Sequence, residues 1–282
     1  MKTKTLFLLA ALLGFVVTSC QKTKPLEESS LDAANDATYS ETVYDDVFAS
    51  LEIATLIAEK TTKSGEVTDS CPVVTVTFPQ GGSWPRNIVI DYGVSCTGLD
   101  GIIRSGKIIF SLSAPRRNTG SVRSVTFDNY YFNGVKIEGT TTVENIGPNN
   151  SQNVVFSVSL EGGRLTFAND STIEREFDHE REYIAGYATN NPWDDECLIS
   201  GSTTGKTYSG RHFTLTTTSA LHWEAVCRFL VSGTVRIELE GIEPFDLDYG
   251  DSECDAKAII SRGDDSKEIT LGLRHPRLPV GK

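Results

Sequence analysis

The chain has 282 residues, of which 26 are Lys or Arg and 38 are Asp or Glu, giving a net charge of −12. That acidic balance argues against a nucleic-acid partner and against an anionic lipid surface, since both need a basic patch. The length suits one large domain or two small ones, and beyond the N-terminus no apolar run is long enough for a spanning helix.

The N-terminal "MKTKTLFLLAALLGFVVTSC" sets Lys2 and Lys4 ahead of an apolar run of 12 residues, Leu6 to Val17. A spanning helix needs roughly 20, so residues 1–19 read as a secretory signal. The "VTSC" that closes it resembles the lipobox of bacterial lipoproteins. That resemblance implies cleavage before Cys20 and acylation of Cys20 with palmitate-type chains, a lipid anchor that makes the membrane a partner. Gln21 stands where an Asp would favour inner-membrane retention, so the implied location is the outer membrane, with the leaflet left open. The mature chain would carry 24 basic and 38 acidic side chains.

Residues 20–39 are polar and poor in large apolar side chains, and are expected to be a tether. In 40–61 the pattern changes. Ser40 can cap, Val43, Val47, Leu51, Ala54 and Ala58 recur at helical spacing, and Glu41, Asp45 and Asp46 precede Lys60 in the sense that the helix dipole favours. The spacing predicts one amphipathic helix whose apolar stripe packs on the sheet that follows.

From residue 70 to 282 the sequence is rich in Thr, Val, Ile, Phe and Gly with period-two alternation, and no ten-residue helical pattern interrupts it. Strands without crossover helices predict an antiparallel all-β domain. An extended, curled meander is favoured, with a sandwich or open barrel as alternatives. Asn133-Gly134 signals a hairpin that sets Phe132 opposite Val135 and Tyr130 opposite Ile137. A second is expected at Gly162-Gly163, with Leu160 facing Leu165 and Val158 facing Phe167. A third turn is expected in "RGDD", Arg262 to Asp265. The "PRRN" containing Arg116 and Arg117 reads as a loop.

Two segments echo one another. Cys71, a strand, Asp91-Tyr92-Gly93 and Cys96 are followed by "IIRSGKIIF". Cys227, a strand, Asp248-Tyr249-Gly250 and Cys254 are followed by "AIISRGDDSKEITL". The shared order predicts two degenerate halves, about 70–145 and 197–275, and the equivalent disulfides Cys71–Cys96 and Cys227–Cys254. Exported chains meet oxidising conditions that favour such bonds. Cys197 is left over, and a buried inert thiol is the simpler expectation.

"IVIDYGVSCTGLDGIIRSGKIIFSL" and "VTFDNYYFNGVKIEGTTTVEN" resemble a Bacteroidota-type family of β-rich lipoproteins of unknown function. The shared features are Asp-aromatic-Gly, a "DG-R-G-I" segment around Asp100 to Ile108, and an Asn-Gly hairpin. The resemblance spans most of 70–275 and implies an exported β-rich lipoprotein, with no activity attached to it.

Motifs of catalysis are missing. There is no Gly-x-Ser-x-Gly, His-Glu-x-x-His, phosphate loop or dinucleotide fingerprint. His222-Trp-Glu224 has the His-x-Glu spacing of zinc deaminases without their Pro-Cys-x-x-Cys. In 174–182, a strand would put Glu174, Glu176, Asp178, Glu180 and Glu182 on one face. A solvated face is the plain reading; a calcium-type site, with Asp194, Asp195 and Glu196 as further donors, is the alternative. Trp84 and Trp193 lie in loops as candidate ligand-facing aromatics. The expectation is a non-enzymatic lipoprotein with a structural or protein-binding β-domain, no cofactor, and an envelope protein or glycan as partner. A glycan-binding module is the alternative, and a glycan-active hydrolase with dispersed carboxylates the second.

Overall fold

A computed structural model describes residues 24–67, 71–189, 191–227 and 229–272. The signal, Cys20 and the first tether residues lie outside the described residues. One helix, α1 (Glu28–Lys60), is followed by β1 (Gly65–Glu66), β2 (Val73–Thr77), β3 (Arg86–Asp91), β4 (Cys96–Thr97) and β5 (Ile103–Leu112). Then come β6 (Val122–Phe132), β7 (Val135–Pro148), β8 (Val154–Thr166), β9 (Thr172–Ala185), β10 (Glu196–Lys206) and β11 (His212–Glu224). The chain closes with β12 (Ser232–Leu239), β13 (Phe245–Asp251), β14 (Lys257–Arg262) and β15 (Asp265–Thr270).

All 15 strands form one antiparallel sheet in chain order, with β4 pairing only to β5. The first and last described strands do not pair with each other, so the sheet is open. It curls around the helix. Asp45 and Asp46, neighbours that point about 100° apart, reach Arg181 on β9 and Arg104 on β5 respectively. Further along, Glu41 meets both Arg175 on β9 and Tyr249 on β13. Bulges supply the bend: register slips occur in all eight strand pairs from β5/β6 through β12/β13.

Helix α1 begins 12 residues earlier than its apolar spacing predicts, so 28–39 is helix and not tether. Its early turns are built of small residues, and Ala33, Ala34 and Ala37 are fully packed against the sheet. Tertiary packing, not local propensity, supplies most helix stability in proteins. Thr38 back-bonds to the Ala34 carbonyl at 2.9 Å, which lets a polar side chain sit inside. An amphipathic helix lying on a sheet was the other expectation. Instead, burial covers most of the circumference, including Tyr39, Tyr44 and Phe48, and leaves a narrow open stripe through Thr42, Asp46, Ala49, Ser50 and Ile53.

The Asn133-Gly134 hairpin forms with Phe132 paired to Val135. The ladder slips between Tyr131 and Val125, so Tyr130 and Ile137 are not among its pairs, although both are buried. The turn expected at Gly162-Gly163 does not exist. β8 runs straight through, and the chain reverses over 168–171, where Phe167 and Ser171 close the turn. The glycines form a bulge between β8 and β9: a Cβ at Gly163 would lie 2.2 Å from the Arg175 carbonyl oxygen. A Gly pair thus marks a close backbone approach as readily as a turn. Arg262 pairs with Asp265 across the third turn as expected.

Both disulfides are present, with Cα separations of 5.8 Å for Cys71–Cys96 and 5.6 Å for Cys227–Cys254. Each staples the outer ends of a hairpin, β2/β3 in one case and β12/β13 in the other. In both, the Asp carboxylate accepts from the Gly amide two residues on at 2.8 Å, and the intervening Tyr is buried toward the helix. Gly93 and Gly250 take positive φ, which Asp-Tyr-Gly permits. Yet nine antiparallel steps separate β2 from β12, so the two run in opposite directions. With both tyrosines facing inward, the hairpins present opposite hands. The two segments thus share an order of parts while running in opposite directions across the sheet.

Candidate functional site

The inner face of the sheet carries arginines at positions where alternation would put apolar residues. Arg123, Arg175, Arg181 and Arg262 are 0–5% exposed, and each meets an acid on or beside α1. Arg262 bonds Glu27 at 2.9 Å, Arg175 lies 3.4 Å from Glu41, and Arg181 bonds Asp45. Glu52 accepts from Arg123 at 2.6 Å and from Arg116 at 3.1 Å. Arg116, expected only as a loop residue, is therefore buried, with its guanidinium over the Tyr187 ring. Asp195 stands 3.9 Å from Arg116, and burial pushes its carboxyl up to about 6. Between Arg175 and Arg181 on β9, His179 bonds Thr203 at 3.0 Å. Burial, with the two flanking arginines, holds it well below the usual imidazole range and hence neutral. These pairs fix the helix in register along the sheet.

Along the helix's open stripe the enclosure is incomplete, and a cleft of about 400 Å³ remains. Its floor is α1 at Thr42, Asp46, Ser50 and Ile53. One wall is the loop 92–102 with the first disulfide; the other is Trp193, Trp223 and Val226 with Cys227. Arg104 bonds Asp46 at 2.5 Å and Asp100 at 2.9 Å. Burial opposes its charge, but hydrogen bonds to the two carboxylates outweigh it and keep the guanidinium protonated. Burial also raises Tyr92, which packs 5.7 Å from Tyr130.

The mouth of this cleft is apolar. Trp193 is 59% and Val226 71% exposed, Ile53 is exposed beside them, and Val94 and Leu99 project fully from the loop 92–102. Three of the ten large apolar side chains exposed among the described residues thus line one opening.

Of the sequence-predicted site residues, Trp193 lines the cleft and Trp84 does not. Trp84 packs on the core at the β2/β3 turn, with Arg86 over its ring at 4.3 Å. Glu174, Glu176, Asp178, Glu180 and Glu182 do share the outer face of β9. They are spread along it, with Glu174 bound by Arg164 and Lys206 and Glu182 by Asn153, and do not gather into a cation cage. Asp194 and Asp195 lie apart from them, bound to Thr189 and near Arg116. Cys197 is a buried free thiol that burial pushes up to about 12, which leaves it unreactive. The inner arginines escaped the sequence reading, although "EREFDHERE" written as a strand already puts Arg175, Phe177, His179 and Arg181 on one face.

No family model, no curated protein and no solved structure matches the chain.

Proposed function

We propose that the protein is a non-enzymatic, lipid-anchored binding protein of the outer membrane, whose cleft takes an apolar segment of an envelope protein. The observation that carries this reading is that exposed Ile53, Trp193 and Val226 line one concave opening. Exposed apolar patches of this kind mark interaction sites, and tryptophan anchors are over-represented where partners bind. The cleft's volume is that of a pocket for one or two side chains or a small ligand. The rigid frame behind it, helix locked to sheet, would hold the opening preformed. Its carboxylates Asp46 and Asp100 are tied to Arg104, an arrangement suited to structure more than to proton transfer. Cys20, through its acyl chains, would hold this opening close to the membrane.

The test is site-specific photo-crosslinking in the native host. A crosslinker at Trp193 or Val226 is expected to give one discrete adduct, and one at Glu238 on the outer face of β12 to give none. The absence of adducts, or equal adducts from all three sites, would refute the reading. Cys20→Ser should release the protein from the membrane fraction. A second reading, a glycan ligand, is favoured by Trp193 lying beside polar groups of the same cleft; a glycan array with wild type and Trp193→Ala separates it from the first.

A further inference from the structure

Outside the cleft, on the outer face of the β10/β11 pair, Glu196, His222 and Glu224 come together. His222 and Glu224 are two apart on β11 and so project to one face. Glu196 and Glu224 are directly opposed across the ladder. One ligand atom from each lies within 4.8 Å of the other two, and His222 Nε2 is 3.2 Å from Glu196 Oε2. All three side chains are half-buried, and this is the one such set among the described residues.

Two carboxylates directly opposed on neighbouring strands repel one another and destabilise a sheet unless a cation lies between them. A hydrogen bond from His222 answers only one of them. Both strands are also locally reshaped at this point: the β9/β10 register slips between Glu196 and Cys197, and the β11/β12 register between Ser219 and His222. Bulges of this kind re-aim side chains next to functional sites.

We infer that Glu196, His222 and Glu224 form a binding site for a divalent transition-metal ion of the zinc class. An imidazole with two carboxylates suits such an ion better than an all-oxygen calcium set. The geometry fits. Ligand atoms about 2.0–2.1 Å from a tetrahedral zinc lie roughly 3.3 Å from one another. The His222–Glu196 distance already meets that value, and Glu224 closes the remainder by a side-chain adjustment on a fixed strand. Three protein ligands leave a fourth position open to solvent or to a ligand group. The site is independent of the proposed function, because the cleft lies on the opposite face of β11, where Trp223 points.

The test uses the full chain in detergent, purified without a histidine tag and titrated with Zn²⁺ by calorimetry and with Co²⁺ by visible absorption. Wild type is expected to take one ion per chain, to show the absorption bands of low-coordinate Co²⁺, and to melt at higher temperature with Zn²⁺. Loss of a hydrogen-bond partner behind a metal ligand already costs about 10–100-fold in affinity, so His222→Gln and Glu224→Gln should each lose at least that. His212→Gln, an exposed histidine at the far end of β11, should bind as wild type. Metal-free melting of each variant shows that it folds. No uptake by wild type, uptake unchanged in His222→Gln, or equal loss in His212→Gln would overturn the inference.

Discussion

Glu52 offers the sharpest test of how the helix is held. Its carboxylate, 5% exposed, faces two guanidinium groups that are 0% and 1% exposed, with contacts of 2.6 Å to Arg123 and 3.1 Å to Arg116. Replacing Glu52 with Leu strands two buried cations. Breaking a buried pair by removing one partner costs about 3–5 kcal/mol, mostly because the remaining charge is left unsolvated. Asp195, 3.9 Å from Arg116, offsets part of that, which places the expected loss near the lower end, about 3 kcal/mol. The triple variant Glu52→Leu, Arg116→Met, Arg123→Met removes these three charges together and leaves Asp195, whose carboxyl burial already pushes toward the neutral form, to keep its proton. Replacing a whole buried ionic cluster with apolar residues is often neutral or stabilising, so it should recover most of the loss. Urea unfolding followed by circular dichroism gives both values from the shift in midpoint. A single variant within about 1 kcal/mol of wild type, or a triple variant whose cost is the sum of its parts, would refute the idea that this cluster locks helix to sheet.

The pH dependence of stability should separate two buried groups of opposite sign. His179 is held below its ordinary value of 6.5, so its contribution is full above that pH and is lost as pH falls and the unfolded chain takes the proton. Relative to His179→Gln, wild type should lose up to about 1.4 kcal/mol per pH unit below 6.5. Asp195 is raised from 3.8 to about 6, so relative to Asp195→Asn wild type should regain up to about 1.4 kcal/mol per unit as pH falls from 6 toward 4. Parallel stability curves for wild type and either variant, from urea melts across this range, would contradict the assignment. The disulfides close loops of similar length, with sequence separations of 25 and 27. Replacing either pair with serines should cost about 3.5 kcal/mol by the chain-entropy relation, and equal losses for both pairs in denaturant melts are the expected result.

Local signals carried the sequence reading furthest. Alternation gave an all-β chain, Asn133-Gly134 and Gly263-Asp264 gave hairpins, and the matched spacing around Tyr92 and Tyr249 gave both disulfides. Where one local signal serves two geometries, the reading failed. Gly162-Gly163 has a turn's composition but sits in a bulge, because only the neighbouring carbonyl of Arg175 distinguishes the two. The segment 28–39 lacks large apolar side chains and looked like a tether; its alanines are small because the sheet closes on them. Orientation across the sheet was beyond reach, since the parity of nine intervening steps belongs to topology and leaves no mark on "DYG" itself. The ion-pair seam was half visible. Arg175, His179 and Arg181 alternate onto the inner face of β9, and the acids that answer them, Glu41 and Asp45, recur four apart on the helix. Joining the two needed the knowledge that the sheet curls back over the helix.

Everything from the cleft floor to the arginine seam requires that α1 is the core around which the sheet closes. Native-state hydrogen exchange across residues 43–58 measures this directly. The account predicts that these amides exchange only through global unfolding, with an opening free energy equal to that of the β9 amides and to the value from denaturant melts. Exchange of the helix at a markedly lower opening free energy, while β9 stays protected, would show the sheet standing without it and would contradict the account.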